Sequence, residues 1–265
     1  MKPVISLFLF MIFIQSISGQ NDTVNQKDQQ GNRTGYWIKY HPNGQIQYEG
    51  YFFNNLPVGT LNRYYPSGIT KATLNRHPDS LLVHAAIFDE EGILRAKGPY
   101  IHQKKAGIWS FFSVKNDLIL RITYKQDNIH GVASRYYANG NLMENTNWIL
   151  NRLQGLQILY DEQGRKKAEI NYFASQMHGA YRVFNFRGII EINGMYKNGL
   201  KDGKWQYFKA DGKLDYELIY SQGKLQNPEV MDSIQRQSFE QYEKNRLILK
   251  DPLSYLEQPS KYFRN

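Results

Sequence analysis

The sequence predicts an all-β fold, an elongated single-sheet solenoid of eight 24-residue β-hairpin repeats with a C-terminal capping helix. Three observations carry that expectation. Glycine returns on a fixed step, aromatic residues return on the same step, and each step holds two turn signals.

Stepping by 24 from Gly35 gives Gly35, Gly59, Val83, Gly107, Gly131, Gly155, Gly179 and Gly203. Nine residues further into each unit stand Gly44, Gly68, Gly92, Asn116, Gly140, Gly164, Gly188 and Gly212. The lone exception there, Asn, is the residue that best tolerates a left-handed backbone after Gly. Together the two columns hold fourteen of the chain's 21 glycines, which sets the period. Five residues into each unit the chain reads Tyr40, Tyr64, Phe88, Phe112, Tyr136, Tyr160, Phe184 and Phe208. Seventeen residues in it reads Phe52, Arg76, Tyr100, Tyr124, Trp148, Tyr172, Tyr196 and Tyr220. Val83 belongs to a unit that otherwise keeps the pattern, so it marks a degenerate repeat.

Pairs such as Asn139-Gly140 and Asp211-Gly212 are strong reverse-turn signals, so each unit is a hairpin. In the last unit Leu214, Tyr216, Leu218 and Tyr220 alternate with Lys213, Asp215 and Glu217, as a half-buried strand requires. A second turn closes each unit, as in "KNGL" at 197–200 and "SQGK" at 221–224. A lone hairpin is marginal in water, so the units must bury their apolar faces on one another. Sixteen strands at about 4.8 Å spacing span roughly 75 Å. The aromatic columns are expected to form ladders down one side.

The eight units run 35–58, 59–82, 83–106, 107–130, 131–154, 155–178, 179–202 and 203–226. Before them, residues 1–19 have the positive start, short apolar run and small residues of a cleaved signal peptide. Residues 20–34 are polar and are expected to be a linker. After them, residues 227–265 form a helical cap and tail. Asn227 is the expected N-cap, Pro228 stands at the first helical position and Glu229 in the first turn. Val230, Ile234, Phe239 and Tyr242 are expected to cover the open end of the array.

Composition narrows the chemistry. The chain has 265 residues, 20 Tyr, 14 Phe, no Cys and a formal net charge of +9. Without cysteine there is no disulfide framework, thiolate zinc site or cysteine nucleophile. The Lys and Arg residues are dispersed, which suits a solvated surface and gives no reason to expect nucleic acid. The six histidines, His41, His77, His84, His102, His130 and His178, show no metal-ligand spacing. Glu90 and Glu91 fall in a turn, where nothing desolvates either to make an acid–base pair. No cofactor and no metal site are expected.

Units of the form Gly-x-Trp-x-x-aromatic, a turn, Gly, then Leu, Glu and Tyr resemble the MORN repeat. They are most similar to its bacterial variant in YwqK-type proteins. The best matches are "GYWIKYHPNGQIQYEGYF" (35–52) and "GKWQYFKADGKLDYELIY" (203–220), with Gly107-Ile108-Trp109 also fitting. The resemblance covers residues 35–226. It implies a scaffold, a dimerisation module or a lipid-binding surface, and for YwqK-type proteins an antitoxin or immunity partner of a toxin. It carries over no catalytic residue.

One feature of the first strand is left over once the ladders are assigned. Lys39 and His41, Arg63 and Tyr65, and Arg135 and Tyr137 set a cation beside an aromatic or imidazole ring in three units. Arg and Tyr are favoured at protein interfaces, so these six are the candidate partner-binding residues. The expected function is that of a non-catalytic exported repeat protein, periplasmic or in the cell envelope, that binds another protein. The alternative is a peripheral binder of anionic phospholipid.

Overall fold

The computed structural model describes residues 23–77 and 80–248. The expected signal peptide and the end of the tail lie outside the described residues. Twenty strands form one antiparallel meander: β1 Gln26–Lys27, β2 Arg33–Tyr40, β3 Ile46–Phe53, β4 Leu56–Tyr64, β5 Thr70–Arg76, β6 Leu82–Phe88, β7 Leu94–Ile101, β8 Lys104–Lys105, β9 Gly107–Phe112, β10 Leu118–Lys125, β11 Asn128–Tyr136, β12 Leu142–Ile149, β13 Arg152–Leu153, β14 Gly155–Tyr160, β15 Lys166–Phe173, β16 Gln176–Phe184, β17 Ile190–Lys197, β18 Leu200–Phe208, β19 Leu214–Ser221 and β20 Lys224–Leu225. Among the described residues one helix, α1, follows at Pro228–Ile248. The sixteen expected strands become twenty because β8/β9 and β13/β14 are each one interrupted strand and because β1 and β20 flank the array.

The two glycine columns serve different ends. Gly44, Gly68, Gly140 and their counterparts, with Asn116, hold a positive φ inside eight equivalent turns. In the first of these the Gly44 amide donates to the His41 carbonyl and the His41 amide to that of Gln45. Gly35 and its column lie within strands, also at positive φ. They accompany register shifts such as the one between Gly50 and Tyr51 where β3 meets β4. Val83 has no positive φ, and the β5–β6 ladder runs without a shift. The degenerate unit therefore lacks the bulge that the other units share. Seven of the second turns put two successive residues at positive φ, as Asn54-Asn55 and Leu150-Asn151 do. That is the two-residue geometry whose twist matches the flanking strands.

The aromatic columns fall on opposite sides of the sheet, contrary to the expectation of ladders on one side. Gly35 faces Phe52 and Trp37 faces Gly50, but a bulge lies between Lys39 and Tyr40, where Tyr40 pairs with Ile46. An extra residue reverses the alternation beyond it. The column of Phe52 and Tyr220 therefore shares a first face with Trp109 and Trp205, while the column of Tyr64 and Phe112 lies on a second face. The same bulge separates Leu214, half-exposed, from Tyr216, Leu218 and Tyr220.

The core is one side chain deep and lies on the first face: Phe52, Ala85, Ala96, Trp109, Ala133, Ala168, Trp205 and Leu218 are buried. Directly paired positions from adjacent units compensate in size. Leu74 meets Ala85, and Ile122 meets Ala133. Gly98 leaves room for Trp109, whose ring atoms lie 2.5 Å from where a Cβ would stand, and Gly194 does the same for Trp205 at 2.4 Å. Each buried indole also spends its N–H on the preceding unit, Trp109 on the Pro99 carbonyl at 2.9 Å and Trp205 on that of Met195 at 3.1 Å.

Both ends of the sheet are closed by an asparagine. Asn25 donates its amide to the Tyr36 carbonyl and accepts from the Ile38 amide through Oδ1. Asn227 accepts from the Ile219 amide through Oδ1 and donates from Nδ2 to the Glu217 carbonyl. Each asparagine stands in for an absent neighbouring strand and covers an edge that would otherwise invite pairing. Residues 26–27 and 33–34 of the expected linker are thus part of the sheet, in β1 and β2. Asn227 occupies the glycine position of a ninth step, and Pro228, without an N–H, ends the ladder. The side chain of Asn227 serves the last strand, not the helix. Helix α1 covers the end only with its first turns, because Phe239 and Tyr242 are exposed.

Candidate functional site

Three arrangements on this sheet bear on function: cations laid over rings, a hollow in the first face, and an apolar stripe on the second. Arg33, Lys105 and Lys201 each stand four residues before a Trp. The Arg33 guanidinium lies 4.3 Å from the Phe52 ring centre, Lys105 Nζ 5.0 Å from that of Trp109 and 5.1 Å from that of Tyr124, and Lys201 Nζ 4.2 Å from that of Trp205. In the units without Trp at this place, the matching residues are Pro57, Leu81, Ile129, Leu153 and Met177, none of them charged. The cation comes with the indole because the ring face attracts it.

The hollow interrupts this carpet at the second and third units. It has a volume of about 570 Å³ and is lined by Leu56, Pro57, Arg63, Lys71, Ala72, Leu74, Arg76, Val83, Ile87, Tyr100 and Gln103. Small residues in place of rings create it. Ala72 and Ala96 stand where the first and last units have Tyr48 and Tyr216, Ala85 stands where Trp109 and Trp205 do, and Arg76 interrupts the column of Phe52 and Tyr100. The Arg76 Nε is tied to the Ser80 carbonyl at 3.1 Å.

On the second face a row of large apolar side chains remains in solvent beside the second turns. Phe53 is 64% exposed, Phe173 59%, Tyr51 57%, Met195 56% and Ile149 50%. These positions lie sixteen and eighteen residues into their units, and His77, Lys125, Asn147 and Asn171 stand between them in the same two columns. Closer to the first turns the same face is polar. Tyr36 and Tyr64 both donate to Glu49, and burial followed by that bond pushes each phenol up to about 12. Glu169 takes bonds from Lys166 and Arg182, which hold its carboxyl below the usual range, the Lys166 bond contributing most.

The six candidate residues from the sequence divide cleanly. His41 Nε2 lies 3.0 Å from the Tyr64 carbonyl, and the hydroxyls of Tyr65 and Tyr137 donate to the carbonyls of Phe88 and Tyr160 at 2.9 Å each. These three bind the next repeat's backbone, so their polar atoms serve the scaffold. Lys39, Arg63 and Arg135 are exposed cations on the first face. Arg135 pairs with Glu144 at 3.6 Å, its direct cross-strand neighbour. The structure does not gather the six into one cluster. The exposed stripe was missed, although Phe53, Ile101, Ile149 and Phe173 put large apolar side chains in half the units of one column, beside a turn where polar residues are expected. Among the described residues no cluster of three or more His, Asp or Glu side chains could hold a metal ion.

Comparison with known proteins agrees with the repeat architecture. The MORN repeat variant matches at three places, residues 33–55, 129–149 and 201–222. No curated protein matches the chain. Among solved structures, a crystal structure of TarM is 14% identical with a TM-score of 0.27, over 34% of this chain and 18% of that one. A mutant of S. aureus TarM in complex with Fondaparinux, alpha-GlcNAc-glycerol and UDP is 12% identical with a TM-score of 0.29, over 36% of this chain and 19% of that one. These matches span under a fifth of the TarM chains.

Proposed function

We propose that the chain is an exported, non-catalytic repeat scaffold that binds another protein through the apolar stripe of its second face. We place it with YwqK-type antitoxin or immunity proteins. The observation that carries the reading is the stripe itself, because large apolar side chains left in solvent along one face mark a protein contact. Tyr and Phe supply large contact area at low entropic cost, which suits an interface. Export rests on the character of residues 1–19.

The test compares capture from an envelope extract by the full chain and by a Phe53→Ser, Phe173→Ser double variant. Both side chains are exposed, so the variant keeps the fold. A specific partner lost with the variant supports the reading, and identical recovery by both proteins refutes it. A second reading, binding to an anionic lipid surface, draws on the first-face cations Lys39, Arg63 and Arg135. Vesicle flotation that ignores lipid charge and salt excludes it.

A further inference from the structure

We propose that the hollow in the first face binds a small anionic amphiphile, an apolar body over Ala72, Leu74 and Ile87 with a carboxylate, phosphate or sulfate head at Arg63 and Lys71. The inference stands apart from the stripe on the other face and shares Arg63 with the anionic-lipid reading.

The volume, about 570 Å³, lies within the roughly 300–1,000 Å³ of small-molecule sites. The lining is also of that kind, mainly apolar with a few converging polar groups. The array itself shows which chemistry the head position accepts. Arg135, in the same column as Arg63, faces Glu144 across the strand pair. Arg63 faces Ala72 instead, so the place taken by a carboxylate in the fifth unit is empty of one in the second. Lys71 adjoins Ala72, with its Nζ 5.1 Å from the Tyr65 ring centre. Among the described residues no carboxylate lines the hollow, and neither Arg63 nor Lys71 has an ion-pair partner. With Arg76 held on the Ser80 carbonyl, Arg63 and Lys71 beside an apolar floor gain most from an anion that brings its own apolar group, since the head finds charge-assisted bonds and the body leaves water.

Titration calorimetry on the full chain uses dodecyl phosphate below its micelle concentration, with dodecyl maltoside and inorganic phosphate as the tail and the head alone. The expected result is one molecule of dodecyl phosphate per chain, bound about tenfold or more tighter than either control. Arg63→Gln and Lys71→Gln should each weaken it about tenfold and leave the maltoside unchanged. Ala72→Phe should fill the hollow and abolish binding, and if that variant fails to fold the two glutamine variants carry the test. Binding that is equal for phosphate and maltoside, that is unchanged in the glutamine variants, or that takes many molecules per chain overturns the proposal. Flotation with phosphatidylglycerol vesicles that requires Arg63 and Lys71 identifies a membrane lipid as the source. Monomer binding without flotation identifies a free amphiphile, and flotation without monomer binding also overturns the site.

Discussion

Gly98→Ala puts a methyl group where the structure has no room for one. The added Cβ would stand 2.5 Å from Cγ and Cδ2 of Trp109, whereas ordinary contact begins near 3.4 Å, so something must yield by roughly 1 Å. Gly98 has no positive φ, so the backbone itself accepts alanine and the whole cost is steric. The indole has nowhere to retreat, being 0% exposed, with its N–H held by the Pro99 carbonyl and Lys105 over its face. Overpacking of this size costs about 1–3 kcal/mol, and losing the indole bond adds about 1 kcal/mol. The expected total is about 2–4 kcal/mol in urea unfolding, read with hydrogen exchange because a repeat array need not unfold in one step. The swap Gly98→Leu with Trp109→Ala copies the Leu74–Ala85 pair and should recover part of what either single change loses. A Gly98→Ala loss below about 0.5 kcal/mol, or strictly additive changes in the swap, would refute the size-compensation argument.

Leu150 holds φ at 49° in an exposed turn, a conformation that Asn adopts with less strain, so Leu150→Asn should raise stability by about 0.5–1 kcal/mol in the same assay; a destabilised variant contradicts it. Stability should fall between pH 10 and 12. Tyr36 and Tyr64 keep their protons up to about 12 when folded, against 10.0 when unfolded, so their contribution is complete below 10 and lost above it. Unfolding free energy that stays level through that window would show the phenols are unperturbed. Asn227→Ala removes both side-chain bonds to β19, and the Ile219 amide should exchange about tenfold faster. An unchanged rate would mean that Asn227 does not close the edge.

The period was legible because two demands on the chain repeat without insertion: a positive φ at Gly44 and its column, and a ring at Tyr40 and its column. Which face each ring occupies was not legible. Simple alternation read across the bulge after Lys39 places Tyr64 and Tyr220 on one side, and only the ladder register reveals the reversal. The pairing of Gly98 with Trp109 and of Lys105 with the same ring was present in the letters. It becomes visible once the register between successive units is known. Of the candidate residues, the sequence singled out His41, Tyr65 and Tyr137 but could not distinguish a tie to the next turn from a free contact. The hollow needed Ala72, Arg76 and Val83 to be neighbours, and in the sequence Arg76 and Val83 look like unrelated lapses from two columns.

The chain is built as a stack of interchangeable 24-residue units. Deleting residues 155–178 removes one whole unit, joins Gln154 to Gly179 and sets the small Thr146 against Tyr181. Far-ultraviolet circular dichroism with thermal unfolding is the direct measurement. The shortened chain should keep a β spectrum and a cooperative melt, while a deletion of residues 155–166, half a unit, should lose both. An unfolded whole-unit deletion, or equal behaviour of the two, would contradict the account.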